Sequence, residues 1–256
     1  MIDIRQQDCL EMLGSLRDAT VQTLVTSPPY GIGKAYENRS TPTEWADAMA
    51  PIVQESARVA AEHMFWQVGN HVHQGVVTPL DIFLYPLLAR DGWVMRNRMV
   101  WTYGHGLHAR SRFSGRYETI LWFTKGDSYL FDLDAVRVPQ KYPAKRYYKG
   151  DKKGELSGNP KGKNPGDVWD ISNVKHNHPE KTAHPCQFPE ALIKRVVLAS
   201  TREGDTVADI FLGSGTTAAV CAKTNRRFIG CDTSADYVAV ARARIATIHA
   251  QKENVR

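Results

Sequence analysis

The sequence predicts an α/β domain built on a mixed, mostly parallel sheet with helices on both faces. Three observations carry that expectation. Residues 206–251 read as strand, glycine-rich turn, helix, strand, helix, at the spacing of a βαβα unit. Apolar runs elsewhere, such as Leu24-Val25 and Met64-Phe65-Trp66, are short and bounded by turn residues. The length of 256 residues, with 42% hydrophobic and 23% charged residues, suits one large core and argues against a disordered chain.

The elements follow in order. Residues 21–30 read as a buried strand stopped by Pro28-Pro29. Residues 31–44 read as a loop, and a helical pattern starts at Thr43 and Trp45 and runs to about Glu62. Residues 64–68 form a strand, and a helix over 79–90 stops at Asp91-Gly92. Residues 93–102 and 119–125 are further strands. Residues 189–201 form a helix with Leu192, Ile193, Val196 and Val197 on one face. Then come a strand at 206–211, a turn at 212–217, a helix at 217–224, a strand at 227–232 and a last helix at 235–251.

The net charge of +6 is localised. Residues 135–183 hold eleven Lys or Arg against five Asp or Glu, so the rest of the chain is neutral. The same segment carries five Gly and five Pro, with Tyr142, Tyr147, Tyr148 and Trp169. A neutral core with one basic, turn-rich arm points to a polyanion partner, against the plainer alternative of a loop kept soluble by lysines. The expected organisation is a first core half over 1–134, a basic insertion over 135–183 and a second core half over 184–256. No run approaches a membrane span, and the charged start is unlike a signal peptide. Cys9, Cys186, Cys221 and Cys231 form no CxxC pair, which reads as reduced thiols and a cytoplasmic setting.

Two local patterns carry chemistry. Gly213-Ser214-Gly215, with Ala218 behind it, matches G-x-G-x-x-A at a strand-to-helix turn, and Asp232 follows Gly213 by 19 residues at the end of the next strand. Such a turn lets backbone approach a ligand, and the acid accepts from ribose hydroxyls, so a nucleoside ligand is expected. An NAD enzyme uses the same spacing, but the second pattern asks for other chemistry. Thr26-Ser27-Pro28-Pro29-Tyr30 ends a strand with a hydroxyl, proline carbonyls and a flat ring. Those groups suit a planar base that bears an amine: the ring stacks, and the oxygens accept the amine protons.

Thr26–Tyr30 resembles the (Asp/Asn/Ser)-Pro-Pro-aromatic motif of DNA amino-methyltransferases, and 209–217 is similar to their Phe-x-Gly-x-Gly cofactor motif. His184-Pro185-Cys186-Gln187-Phe188-Pro189 resembles their His-Pro-x-x-x-Pro segment. Residues 7–30, with Asp8 and Cys9, look like the family's N-terminal run, and 114–125 like its mid-chain stretch. The order, catalytic motif before cofactor motif, is that of the permuted β group, and the resemblance spans the chain apart from about 135–167. It implies a Rossmann-like, circularly permuted methyltransferase fold with an inserted target-recognition region, and S-adenosylmethionine as cofactor.

By that resemblance the base flips out of duplex DNA, Tyr30 stacks on it, and Ser27 with the Pro28 carbonyl orients the amine for in-line transfer, with Pro29 holding the turn. Asp8 would meet the cofactor adenine amine, Asp232 the ribose, and Asp209 with His184, Pro185, Phe188 and Pro189 the methionine part, with Cys9 also in the cofactor pocket. Phe211, Thr26, Gly213, Ser214, Gly215, Thr216 and Thr217 would complete that pocket. Family members with Ser-Pro-Pro-aromatic usually methylate N4 of cytosine, and Phe188 stands where many adenine enzymes carry lysine. Both favour cytosine, with N6-adenine as the alternative. One departure is Asp232 where the family more often has Glu.

Cys186 resembles a Pro-Cys nucleophile but precedes the cofactor motif, so it reads as a packing residue. His176, His178, His184 and Cys186 fit no common zinc spacing, so no metal is expected. In the basic insertion, Lys141, Lys145, Arg146, Lys149, Lys152 and Lys153 would meet double-stranded DNA, joined by Arg110 and Arg112. Glycines near 31–33 suggest that 31–44 closes over the base. A DNA-binding protein that has lost its activity, and an enzyme acting on RNA or on protein glutamine, are the remaining alternatives. A prokaryotic or phage restriction-modification setting fits, whereas the sequence leaves open a restriction-enzyme partner and the choice between monomer and homodimer.

Overall fold

The computed structural model describes residues 1–106 and 108–253. The chain runs β1 (Ile2–Gln6), α1 (Cys9–Gly14), β2 (Val21–Thr26), α2 (Pro42–Val59), β3 (Ala60–Val68), β4 (Asn70–His73), β5 (Val76–Pro79), α3 (Asp81–Leu88), β6 (Trp93–Thr102) and β7 (Tyr117–Lys125). After the basic stretch follow β8 (Val168–Asp170), α4 (Glu190–Ser200), β9 (Thr206–Asp209), α5 (Thr216–Lys223), β10 (Arg227–Asp232) and α6 (Ala235–Glu253).

Eight strands form the main sheet in the order β1-β10-β9-β2-β3-β7-β6-β8, and β4 with β5 makes a separate hairpin. All neighbours in the main sheet are parallel except β3–β7 and β7–β6. One face is covered by α4, α5 and α6 through residues such as Leu192, Val197, Val220 and Ile245. The other is covered by α1, α2 and α3 through Met12, Trp45, Ile52 and Leu84. The expected fold class is therefore the observed one.

Local chemistry explains the boundaries. Thr41 and Glu44 form a capping box at the start of α2, and Pro42 occupies the first turn, where its missing N–H costs nothing. Trp45, Met49, Ile52, Val53 and Ser56 then recur at helical spacing on the buried face. The loop expected over 31–44 therefore ends sooner. The helix expected to reach Glu62 stops at Val59, because Ala60 already pairs with Val21 and His63 with Thr124. Tertiary pairing overrides the helical pattern there. The strand expected over 206–211 shortens to 206–209, since the Asp209 side chain turns back to accept from the Phe211 N–H.

Between β9 and α5 the backbone at Gly215 is left-handed, and a Cβ there would lie 2.7 Å from Ala241 Cβ on α6. Only glycine permits both the turn and the close approach of α6.

The basic insertion is not a separate unit throughout. Residues 137–167 leave the sheet, tied by the isolated pairs Val138–Lys163 and Arg146–Leu156. Residues 168–170 return as the edge strand β8, with Trp169 buried in the core and Trp101 Nε1–H donating to the Ile171 carbonyl. The segment 135–183 therefore includes one strand of the main sheet.

Buried His63 is held neutral: its Nδ1 accepts from the Trp122 indole at 3.2 Å, and burial pushes its pKa down to about 4. The unfolded chain binds a proton there below about pH 6.5 and the folded one does not, so this contribution to stability is lost as pH falls from 6.5 toward 4. Urea unfolding over that range should show the wild type losing up to about 3 kcal/mol relative to His63→Gln. Parallel curves for the two proteins would contradict this.

Candidate active site

Strand order reverses between β2 and β9: the chain leaves β2 toward β3 and leaves β9 toward β10. Ligands of open α/β sheets bind at such a switch point, outside the carboxyl ends of the strands. A cleft of about 730 Å³ lies there. It is lined from the ends of β1, β10, β9, β2, β3 and β6 and from the start of β7.

The two halves are locked by one carboxylate. Asp209 Oδ1 accepts from Thr26 Oγ1 at 2.9 Å and from the Phe211 N–H at 3.2 Å, and Oδ2 accepts from Thr217 Oγ1 at 2.7 Å. This joins β2, β9 and α5. Burial pushes the Asp209 pKa up to about 6, against those three hydrogen bonds. Asp232, at the end of β10, accepts from the Gly213 N–H and the Ser234 N–H, each at 2.9 Å. The glycine turn and the acid expected to face a ribose are thus fixed to each other.

Phe188, Phe211, Ile210 and Pro185 give the cleft apolar walls, with Asp8 and Asp232 as acids and Ser214 and Thr216 at the start of α5. That set fits S-adenosylmethionine: apolar walls for the adenine, acids for amine and ribose, and helix N–H groups for a carboxylate. His184 sits between Tyr36, stacked at 5.7 Å, and Tyr237, edge-on at 4.4 Å. Its Nδ1 accepts from the Cys186 N–H, and burial lowers its pKa.

The other end of the cleft holds the Pro-Pro turn. Trp45 Nε1–H donates to the Pro29 carbonyl at 2.7 Å and so anchors the turn to α2. Tyr30 OH donates to Glu118 Oε2 at 3.2 Å and lies 3.4 Å from Ser27 Oγ. Gln67 Nε2 donates to Tyr30 OH at 3.0 Å and also to Glu118. Burial raises the pKa of both Tyr30 and Glu118. Gly69 makes room for this cluster: a Cβ there would lie 2.9 Å from the Tyr30 ring and 3.4 Å from Glu118.

Of the residues named from sequence, the cleft brings together Asp8, Cys9, Ser27, Pro28, Pro29, Tyr30, His184, Pro185, Phe188, Asp209, Phe211, Gly213, Ser214, Thr216 and Asp232. Thr26 and Thr217 lie behind it on Asp209, Gly215 packs under α6, and Pro189 caps α4. Asp8 has a second job as the N-cap of α1, accepting from the Leu10 N–H at 2.8 Å. Arg110, Arg112, Lys141, Lys145, Arg146, Lys149, Lys152 and Lys153 are all exposed and none lines the cleft. The loop after Tyr30 does reach it, through Lys34 and Tyr36, and Lys34 Nζ donates to Cys186 Sγ at 2.7 Å.

Sequence reasoning missed Gln67, Tyr103, Glu118 and Tyr237, which also line the cleft. The one available signal was Glu118, an acid in an otherwise largely apolar strand.

Gly69→Ala should displace Tyr30 and cut activity by about tenfold or more while the fold survives, because the clash is confined to the cleft. Far-ultraviolet circular dichroism beside a turnover assay checks this. Thr217→Val leaves the buried Asp209 carboxylate one donor short and should cost about 1–3 kcal/mol in urea unfolding.

A family model described as DNA methylase, of the N6/N4 type, matches residues 21–243. The type II methyltransferase M.BglII of Bacillus subtilis is 49% identical over 237 residues, covering 91% of this chain and 66% of M.BglII. The chain thus spans about two thirds of that relative's length. The DNA adenine methyltransferase YhdJ of Escherichia coli K12 is 30% identical over 243 residues, covering 93% of this chain and 80% of YhdJ. The structure of the PvuII DNA methyltransferase (cytosine-N4-specific) superposes with a TM-score of 0.75 at 20% identity, covering 98% of this chain and 92% of that one. At that identity the match concerns the fold. The match to the family model over most of the chain, in the motif order seen here, is decisive: the chain belongs to the N6/N4 DNA methylase family.

Proposed function

We propose that this protein is an S-adenosylmethionine-dependent DNA methyltransferase that methylates the N4 amine of cytosine in double-stranded DNA. The observation that carries the reading is the meeting, in one cleft, of Ser27–Tyr30 with the Gly213 turn and Asp232, motifs some 180 residues apart. When bound, S-adenosylmethionine supplies an electrophilic methyl group. Asp232, Asp8, Phe211 and the start of α5 hold it at one end of the cleft. Ser27 and the Pro28 carbonyl accept from the target amine at the other, and the Tyr30 ring stacks on the base. The amine of cytosine is a weak nucleophile, so the contribution of the protein is positioning and exclusion of water. A base inside a duplex cannot reach such a cleft, which supports base flipping.

Ser27, rather than Asp, and Phe188 in the cleft wall support cytosine. The N6/N4 family includes both reactions by name, and YhdJ is named for adenine, so N6-adenine is the second reading. Nucleoside mass spectrometry separates them. Unmethylated DNA incubated with protein and S-adenosylmethionine should yield N4-methylcytosine, and Ser27→Ala with Tyr30→Ala should abolish it. N6-methyladenine instead would assign the second reading. No methylated nucleoside would reject both.

The exposed lysines of 137–167 support phosphate contacts in DNA. Lys152→Ala with Lys153→Ala should weaken binding to all duplexes alike and lower the slope of log K against log salt by about 2. A loss confined to one sequence would show that these lysines read bases. The type II name of M.BglII supports a restriction-modification setting. Among the described residues no helix is long and apolar enough to cross a membrane.

A further inference from the structure

The transfer proposed above leaves one proton without a destination. As the amine nitrogen bonds to the methyl carbon, the carbon–sulfur bond breaks and its electron pair stays on sulfur. The nitrogen then carries a positive charge, which it loses only by giving up a proton. Ser27 and the Pro28 carbonyl hold the two N–H groups, but neither oxygen is basic enough to keep a proton.

Behind Ser27 stands a group that is. Ser27 Oγ lies 3.4 Å from Tyr30 OH, and either oxygen can donate. Tyr30 OH donates to Glu118 Oε2 at 3.2 Å. All three residues line the cleft, so hydroxyl, hydroxyl and carboxylate form one row that ends on β7. Hydrogen bonds of this length are common before substrate binds and shorten in the reacting complex. Gln67 Nε2 also donates to Tyr30 OH, at 3.0 Å. The Tyr30 oxygen can thus accept from Gln67 and Ser27 while its own O–H points at Glu118, which uses the full capacity of a phenol.

Glu118 suits the end of the row. Burial raises its pKa, which makes it a stronger base than an exposed carboxylate. Hydrogen bonds from Tyr30, Gln67 and Tyr103, with the charge of Lys34, oppose that rise and favour the carboxylate form. Arg116 bears on Tyr103 in turn.

We propose that Ser27, Tyr30 and Glu118 form a proton relay for the methylated amine. The amine proton passes to Ser27 Oγ, the Ser27 proton to the Tyr30 oxygen, and the Tyr30 proton to Glu118 Oε2. The proposal rests on the reading of the cleft as an amino-methyltransferase site. One N–H bond and the carbon–sulfur bond break, and the nitrogen–methyl bond forms. Both hydroxyls regain a hydrogen, the sulfide is neutral, and Glu118 ends as a neutral acid that returns its proton to water after product leaves. Glu118 acts only through the two hydroxyls.

The test is the pH dependence of single-turnover methylation. Enzyme and S-adenosylmethionine are in excess over a duplex carrying the sequence mapped by methylation of plasmid DNA. The wild-type rate should rise with pH as Glu118 ionises and then level off. Glu118→Gln fills the same space but takes up no proton, so it should lower the plateau about 100-fold and abolish the rise. Tyr30→Phe keeps the stacking ring but breaks the row, and should have the same two effects. The double variant should be slower than either single one by no more than about twofold, because each change breaks the same row. Affinity for S-adenosylhomocysteine, measured by calorimetry, should be unchanged in all three. A Tyr30→Phe enzyme that keeps the wild-type rise overturns the relay, since Glu118 would then act by its charge alone. A rise that persists in Glu118→Gln also overturns it and belongs to another group of the cleft, such as Asp209 or His184. Variants as fast as the wild type overturn it too. If Glu118→Gln does not fold, the loss or survival of the rise in Tyr30→Phe decides. Failure of the methyltransferase reading is a separate result, in which the wild type yields no methylated nucleoside at any pH.

Discussion

A single buried carboxylate holds the two halves of the chain in register. Asp209 closes the short strand β9, and its oxygens receive hydrogen bonds from Thr26 on β2 and from Thr217 on α5. Thr26 precedes Ser27, and Thr217 follows the glycine turn, so the Pro-Pro turn and the glycine turn are pinned to the two oxygens of one carboxylate. Burial makes a charged Asp209 costly, and three donors recover much of that cost. The pKa is still raised to about 6, so the folded form holds a proton that the unfolded chain has released above about pH 4. Its contribution to stability therefore falls as pH rises from about 4 to about 6, opposite in sign to that of His63.

The same logic recurs at the Pro-Pro end of the cleft. Tyr30 in the turn after β2, Gln67 on β3 and Glu118 on β7 are buried or half-buried polar groups that hydrogen-bond one another. Such a network is worth more as a set than pair by pair, and it fixes side-chain directions that loops alone would not. The loop from Gly31 to Ser40 adds to this. Its Glu37 accepts from the Gly31 and Ile32 N–H groups, and its Tyr36 stacks on His184. It is therefore a structured wall across the cleft, joining the Pro-Pro turn to the segment before α4.

Much of the fold was legible because the relevant signals are local. The glycine pair, the alternation of strand and helix after 203, and the buried stripe of α4 all follow from short-range sterics and periodicity. The elements that escaped notice depend on partners. β8 is three residues long and exists only through its pairing with β6. β1 alternates Ile with charged residues and reads as a polar start until it pairs with β10. Ala60 to Glu62 continue a helical pattern yet join β3, because the sheet offers them ladder hydrogen bonds.

The sequence by itself determined two local patterns: a hydroxyl and an aromatic ring about a Pro-Pro turn, and a glycine turn with an acid one strand later. These are fixed by residue type and spacing within a few positions, so they survive without knowledge of the rest. Tertiary structure alone decided that the two motifs share one cleft, that Asp209 serves as the clamp between them, and that Gln67 and Glu118 stand beside Tyr30. The reason is distance along the chain: Gln67 meets Tyr30 across 37 residues and Thr26 meets Asp209 across 183, and only the order of strands in the sheet brings such residues to one edge.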